Sequence, residues 1–178
     1  PRDCPDSLGR PEYCGPNGHF PPDRDTLYEN QGDGTFREIT REAGMADAKG
    51  YGLGVVSGDF DGDGHVDFYV ANDGAVNHLW LQQEDGTFRD DALLAGVAVN
   101  RQGKPEAGMG ITLGDYDGDG DDDLFVTHLQ QETNTLYVNG GEGLFDDRSA
   151  QSGLGPASLP FTAFGTGSVS YTHLTLPT

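Results

Sequence analysis

Two copies of one nine-residue pattern, Asp-x-Asp-x-Asp-Gly-x-x-Asp, start 56 residues apart in this chain. The first supplies Asp59, Asp61, Asp63 and Asp67, and the second supplies Asp115, Asp117, Asp119 and Asp123. Four carboxylates in so short a loop repel one another unless a cation sits among them. Calcium suits such a loop, being a hard ion that accepts several oxygens at flexible angles. Glycine at the sixth position, Gly64 or Gly120, permits the sharp turn that folds the carboxylates inward. The seventh position then offers its backbone carbonyl, which leaves the side chains of His65 and Asp121 free to differ. Two calcium sites are expected.

The flanks say what must hold these loops. A helix–loop–helix hand needs a bidentate Glu at position 12, and here position 12 is Val70 or Val126. The runs after the loops, Val66 to Ala71 and Asp122 to Thr127, are short and carry large apolar groups on both faces, as a strand buried between two layers would. The runs before them follow a G-x-G-x-x-x-G spacing, at Gly52, Gly54 and Gly58 and again at Gly108, Gly110 and Gly114. That spacing is one residue too long for a dinucleotide-binding turn, and no helical pattern follows it. Strand glycines that let backbones approach closely are the better reading. Each aspartate loop therefore joins two strands.

A second element recurs around this one. Leu27 to Phe36, Leu79 to Phe88 and Leu136 to Phe145 each give an apolar start, a glycine-rich turn and a second strand led by phenylalanine. These are hairpin signatures. One unit reads as strands at 52–58, 66–72, 77–82 and 87–91. Four strands in about 56 residues is the size of a propeller blade. The expected fold is all-β, a partial β-propeller of four-stranded blades with calcium-binding hairpin loops. Residues 26–45 are expected to be the last two strands of a preceding blade. Residues 51–97 and 107–154 read as complete blades, with calcium loops at 59–67 and 115–123. Residues 161–168 read as the start of another, and 1–25 as a cysteine-containing loop segment. The recurring aromatics Tyr28, Phe36, Trp80, Phe88, Tyr137 and Phe145 are expected to pack between blades.

A net charge of −20 with ten Lys and Arg argues against nucleic-acid binding. Aspartate outnumbers glutamate 22 to 8, the bias of turns and short-reach metal loops rather than of helix surfaces. No apolar run reaches the roughly 18 residues of a membrane span. Residues 169–178 resemble a translated sequencing adapter. Thr172, Leu174 and Leu176 stand where a third loop would need carboxylates, so a fragment that stops short of that loop is expected.

The glycine strand, the aspartate loop and the Asp-Leu-Phe-Val strand after it resemble FG-GAP/VCBS repeats, the blade repeats of integrin α-subunits and many secreted bacterial proteins. Cys4, Tyr13 to Pro16 and the Asp25 to Phe36 stretch resemble the ASPIC/UnbV group. The resemblance implies a propeller, often seven-bladed, exported and mostly non-enzymatic. It implies calcium in the hairpin between the first two strands of a blade, on the eight aspartates named above. In an exported chain Cys4 and Cys14, with nine residues between them, are expected to form a disulfide.

No nucleophile elbow, metalloprotease helix or P-loop occurs. His65, His78 and His128 are expected at surface or strand-end positions. The expected function is an extracellular, cell-surface or periplasmic module for adhesion or recognition of a protein or carbohydrate ligand, with structural calcium and no enzymatic activity. The alternative is a non-catalytic scaffold of a secreted hydrolase or polysaccharide lyase. Strand order would put the calcium loops on one face and the long stretches 92–106 and 149–162 on the other. A partner is expected on that second face, with Arg101 and Lys104 as a basic spot.

Overall fold

The computed structural model describes residues 19–169, together with residues 4–5, 9, 11–12 and 16. Cys14 and the side chain of Cys4 lie outside the described residues, and so does the disulfide expected of them. A short pair, β1 (Cys4–Pro5) and β2 (Pro11–Glu12), precedes a hairpin of β3 (Tyr28–Asn30) and β4 (Phe36–Glu38). Two four-stranded antiparallel sheets follow, each in plain sequence order. The first holds β5 (Gly52–Gly58), β6 (Asp67–Asn72), β7 (His78–Gln82) and β8 (Phe88–Asp90). The second holds β9 (Ile111–Gly114), β10 (Asp123–Val126), β11 (Thr135–Asn139) and β12 (Phe145–Asp147). The described sheets do not close a ring.

The sequence patterns explain the strands. β6 and β10 are buried along nearly their whole length, as apolar runs without alternation require. Gly58 pairs with Asp67, and Gly114 with Asp123, so each aspartate loop closes the first hairpin of its sheet. The Asp-Gly-Thr turns repeat in detail. Asp33 Oδ1 accepts the N–H and hydroxyl of Thr35, and Asp85 Oδ1 accepts those of Thr87. Such short-range bonds favour a turn over continuation of the strand.

Glycines set how closely the sheets approach. A Cβ on Gly54 would lie 2.7 Å from the Met109 carbonyl oxygen, and one on Gly110 would lie 2.2 Å from that of Phe164. The first strand of each sheet thus lies against the backbone of the next segment, as expected of strand glycines and not of a nucleotide loop. The Ala-Gly segments dock similarly. Phe88 N–H donates to the Ala43 carbonyl at 2.8 Å. At the matching place in the next repeat, a Cβ on Gly96 would meet the Phe145 carbonyl oxygen at 2.8 Å. Met45, Val70 and Trp80 form one core, and Phe60, Tyr69, Leu124, Val126 and Tyr137 belong to a larger core spanning both four-stranded sheets.

Three differences from expectation stand out. Tyr28 and Phe36 are exposed, because no described sheet covers that side of the β3–β4 hairpin, whereas Trp80 and Tyr137 are buried and Phe88 and Phe145 are partly buried. Residues 161–169 lie against β9, with Ser168 N–H donating to Thr112 Oγ1 at 3.0 Å, but form no strand. The connections carry short helices, α1 (Ala92–Ala95), α2 (Ser149–Ser152) and α3 (Leu154–Ser158). The first two end at glycines in the left-handed conformation, Gly96 and Gly153. Single turns like these lack the periodicity that marks a helix in sequence.

Gly54→Ala is expected to lower unfolding stability by about 1–3 kcal/mol, because the added methyl meets backbone that cannot rotate away. Urea denaturation measures it. A loss well below this range would mean that the two sheets do not abut at Gly54.

Candidate metal centre

The loop at 59–67 turns on Gly62 and Gly64, at φ +76° and +86°, and the loop at 115–123 on Gly118 and Gly120, at +81° and +100°. A side chain at any of these would be strained. The left-handed turns aim backbone N–H groups at the first aspartate. Asp59 accepts from Gly62 at 2.9 Å and Gly64 at 3.0 Å. Asp115 accepts from Gly118, Asp119 and Gly120 at 2.6, 3.1 and 3.2 Å.

The ninth position is built differently. Asp67 and Asp123 are fully buried or nearly so. Asp67 accepts the N–H of Phe60 at 2.9 Å and that of Gln82 at 2.8 Å. Asp123 accepts those of Tyr116 at 2.6 Å and Asn139 at 2.8 Å. One carboxylate therefore ties its own loop to the end of the third strand. Sequence spacing marks the ninth position as a ligand but gives no sign of this second task, because Gln82 and Asn139 lie far along the chain.

Carboxylate oxygens of Asp59, Asp61 and Asp67 come within 4.8 Å of one another, as do those of Asp115, Asp117 and Asp123. Three of the four aspartates expected in each loop are thus together. Asp63 and Asp119 are not in these groups. Asp63 accepts the His65 N–H at 2.8 Å and faces the His65 ring at 3.0 Å, and Asp119 accepts the Asp121 N–H at 3.0 Å. The donors are all hard oxygens, the set that suits calcium and not a thiophilic metal.

Burial and mutual proximity perturb three of these carboxyls. Burial, and then the charges of Asp63 and Asp59, hold the Asp61 carboxyl above its ordinary range. Burial and the Asp61 and Asp63 charges raise Asp67, and burial with Asp117 and Asp119 raises Asp123. Asp63 is lowered instead, by its hydrogen bond with His65. A raised folded carboxyl costs stability once ionised, so ionised Asp61, Asp67 and Asp123 each weaken the fold at neutral pH.

Two histidines lie at or beside strand ends, as expected, and are also buried. His78 Nδ1 lies 2.6 Å from Asp90 Oδ2. Burial opposes its charge, but Asp90 outweighs burial and raises the ring's pKa. His128 Nδ1 donates to the Thr133 carbonyl at 2.9 Å, while its Nε2 lies 3.9 Å from Glu106. Burial pushes the ring down to about 4 and raises the Glu106 carboxyl. Both groups are driven toward loss of charge, which is not the behaviour of an ion pair.

These loops and strands place the chain in a family. The sequence pattern of the FG-GAP-like repeat matches residues 9–70 and 59–126. The chain belongs to the FG-GAP-like repeat proteins. Among curated relatives it is similar to cartilage acidic protein 1 of Xenopus tropicalis, Homo sapiens and Mus musculus, 30% identical over 106 residues in each. That stretch is 58% of this chain but only 15–16% of those proteins, so the chain spans a small part of their length.

In chelator, Asp67→Ala is expected to cost roughly 2–4 kcal/mol by orphaning two N–H groups, against under about 1 kcal/mol for Asp59→Ala, whose partners reach water. Equal losses on urea denaturation would contradict the double role of Asp67. His128, neutral when folded, contributes stability above its unfolded pKa of about 6.5, which is lost as pH falls toward about 4. Between pH 7 and pH 4, melting in chelator should therefore show an acid-induced loss of up to about 3 kcal/mol that His128→Gln removes. An unchanged pH profile in the variant would contradict it.

Proposed function

We propose that this chain is part of an exported β-propeller whose hairpin loops bind structural calcium, serving adhesion or recognition of an extracellular protein or carbohydrate. The supporting observation is the twin carboxylate cluster, repeated with the same hydrogen bonds in two successive sheets. A chance acidic patch has no reason to recur with its ninth residue buried and tied to the third strand. In each site the ligands are the four aspartates, Asp59, Asp61, Asp63 and Asp67 or Asp115, Asp117, Asp119 and Asp123, with the carbonyl of His65 or Asp121. Asp63 then leaves the His65 ring to join its site. Calcium offsets the burial and the mutual repulsion that raise the carboxyls. It braces the hairpin without taking part in chemistry.

Two successive four-stranded antiparallel sheets support the blade reading. Residues 51–97 and 107–154 are two blades, and 26–45 are the last two strands of another. Glycines at the first strands allow the close approach that successive blades need near a propeller axis. No helix among the described residues is long and apolar enough to cross a membrane. A partner on the face opposite the calcium loops fits the longer connections there. Arg101 is a poor anchor for it, because its guanidinium already donates to the Asp147 carbonyl at 3.2 Å.

Sites of this extracellular type bind at about 10⁻⁴–10⁻³ M. Calcium at ten times such a Kd is expected to stabilise the protein by about 1.4 kcal/mol per ion. Thermal melting with calcium and with chelator measures this, and Asp61→Ala together with Asp117→Ala should remove most of the shift. Identical melting temperatures in calcium and chelator would sink the calcium reading.

A further inference from the structure

The loop at 59–67 is not held by its own sheet alone. Asn139 ends β11 in the second sheet and is 2% exposed. Its backbone N–H donates to Asp123, within its own sheet. Its side chain points the other way. Nδ2 donates to the Phe60 carbonyl at 3.0 Å, and Oδ1 accepts the Gly141 N–H at 3.0 Å. Phe60 stands between Asp59 and Asp61, and its own N–H donates to Asp67. The peptide groups on both sides of Phe60 are thus fixed, one by the loop's last aspartate and the other by the neighbouring sheet.

Two further contacts cross in the same place. The Phe145 ring meets that of Phe60 edge-on, 6.2 Å between centroids at 63°. Gly143, in the turn between β11 and β12, is so near that a Cβ on it would lie 3.1 Å from the Asp61 Cβ. The carbonyl held by Asn139 belongs to the peptide joining Phe60 to Asp61, so its orientation helps set where the Asp61 carboxylate points. Holding that peptide before the ion arrives removes part of the ordering cost of binding.

We infer that Asn139 of the second sheet is a positioning residue for the calcium site of the first, so that this site is complete only when the two sheets are packed together. The inference rests on the calcium reading above. It deepens that reading by giving the 59–67 site a dependence on Asn139 that the 115–123 site does not share. Asn139 meets the 115–123 loop only through its backbone N–H, which any residue but proline would supply. Asn30 and Gln82 occupy the same place in their hairpins, opposite Phe36 and Phe88, so a side-chain amide recurs at this position.

The test is calorimetric titration of the 178-residue chain with calcium chloride in two single-site backgrounds. Asp117→Ala leaves the 59–67 site, and Asp61→Ala leaves the 115–123 site. Adding Asn139→Ala is expected to weaken calcium binding about fivefold in the first background and less than about twofold in the second. Equal weakening in both, or none in the first, overturns the inference. A general loss of structure would lower both affinities alike, so the asymmetry separates positioning from folding. Should Asn139→Ala not fold, Phe145→Leu loosens Phe60 through its ring and must give the same asymmetry. If the unsubstituted chain takes up no calcium, the calcium reading fails and this inference falls with it. Uptake with equal losses removes the role of Asn139 alone.

Discussion

Asp67 and Asp123 are buried aspartates, each accepting one backbone N–H from its own loop and one from the end of the third strand. Much of each sheet's loop end depends on that arrangement. A buried carboxylate is expensive unless its lone pairs are met. Here two N–H groups meet them, and those N–H groups would themselves be orphaned without it. The loop, the second strand and the third strand are therefore fixed to one another at a single side chain. The same side chain turns toward two further aspartates, so the bond that organises the fold also concentrates negative charge.

That conflict explains why the loops point to a cation. Burial and neighbouring charge raise the carboxyls of Asp61, Asp67 and Asp123. A protein that wanted only a stable hairpin would do better with fewer acids. Keeping three within reach of one another is sensible if a divalent ion neutralises them. The second constraint acts between sheets. Gly54 and Gly110 leave room for backbone where any side chain would collide, and Gly44 and Gly96 let the connecting segments dock on the next sheet's last strand. Each repeat thus contacts its neighbour through the same few positions, the pattern of an array whose stability resides in interfaces. Asn139 belongs to this class of contacts, since its amide joins the second sheet to the loop of the first.

Much of the architecture was readable from spacing. The four strands of each unit lie within a few residues of where the repeat put them, and the aspartate loops join strands, as Val70 and Val126 indicated. What could not be read came from partners far along the chain. His78 and His128 look like loose strand-end residues in sequence, yet one is buried against Asp90 and the other against the Thr133 carbonyl. The aromatic recurrence was a sound guide for Trp80 and Tyr137. It failed for Tyr28 and Phe36, because burial depends on having a neighbour and a sequence period does not state whether one is present. That Arg101 also donates to the Asp147 carbonyl was likewise invisible in sequence.

The sequence by itself determined the carboxylate chemistry of the loops and their local turns. Carboxylate identity and glycine position act over a few residues, and left-handed φ at Gly62, Gly64, Gly118 and Gly120 follows from local sterics. Tertiary structure alone decided which aspartates gather. Asp67 reaches Asp59 and Asp61 while bonded to the N–H of Gln82 fifteen residues on, whereas Asp63 is held locally by His65 two residues away. It also decided that one of two identical motifs is clamped from outside. Phe60 is gripped by Asn139 and Phe145, whereas its counterpart Tyr116 remains largely exposed. Among the described residues only the first loop has such a contact, and a hydrogen bond across 79 residues is visible only once the chain has folded.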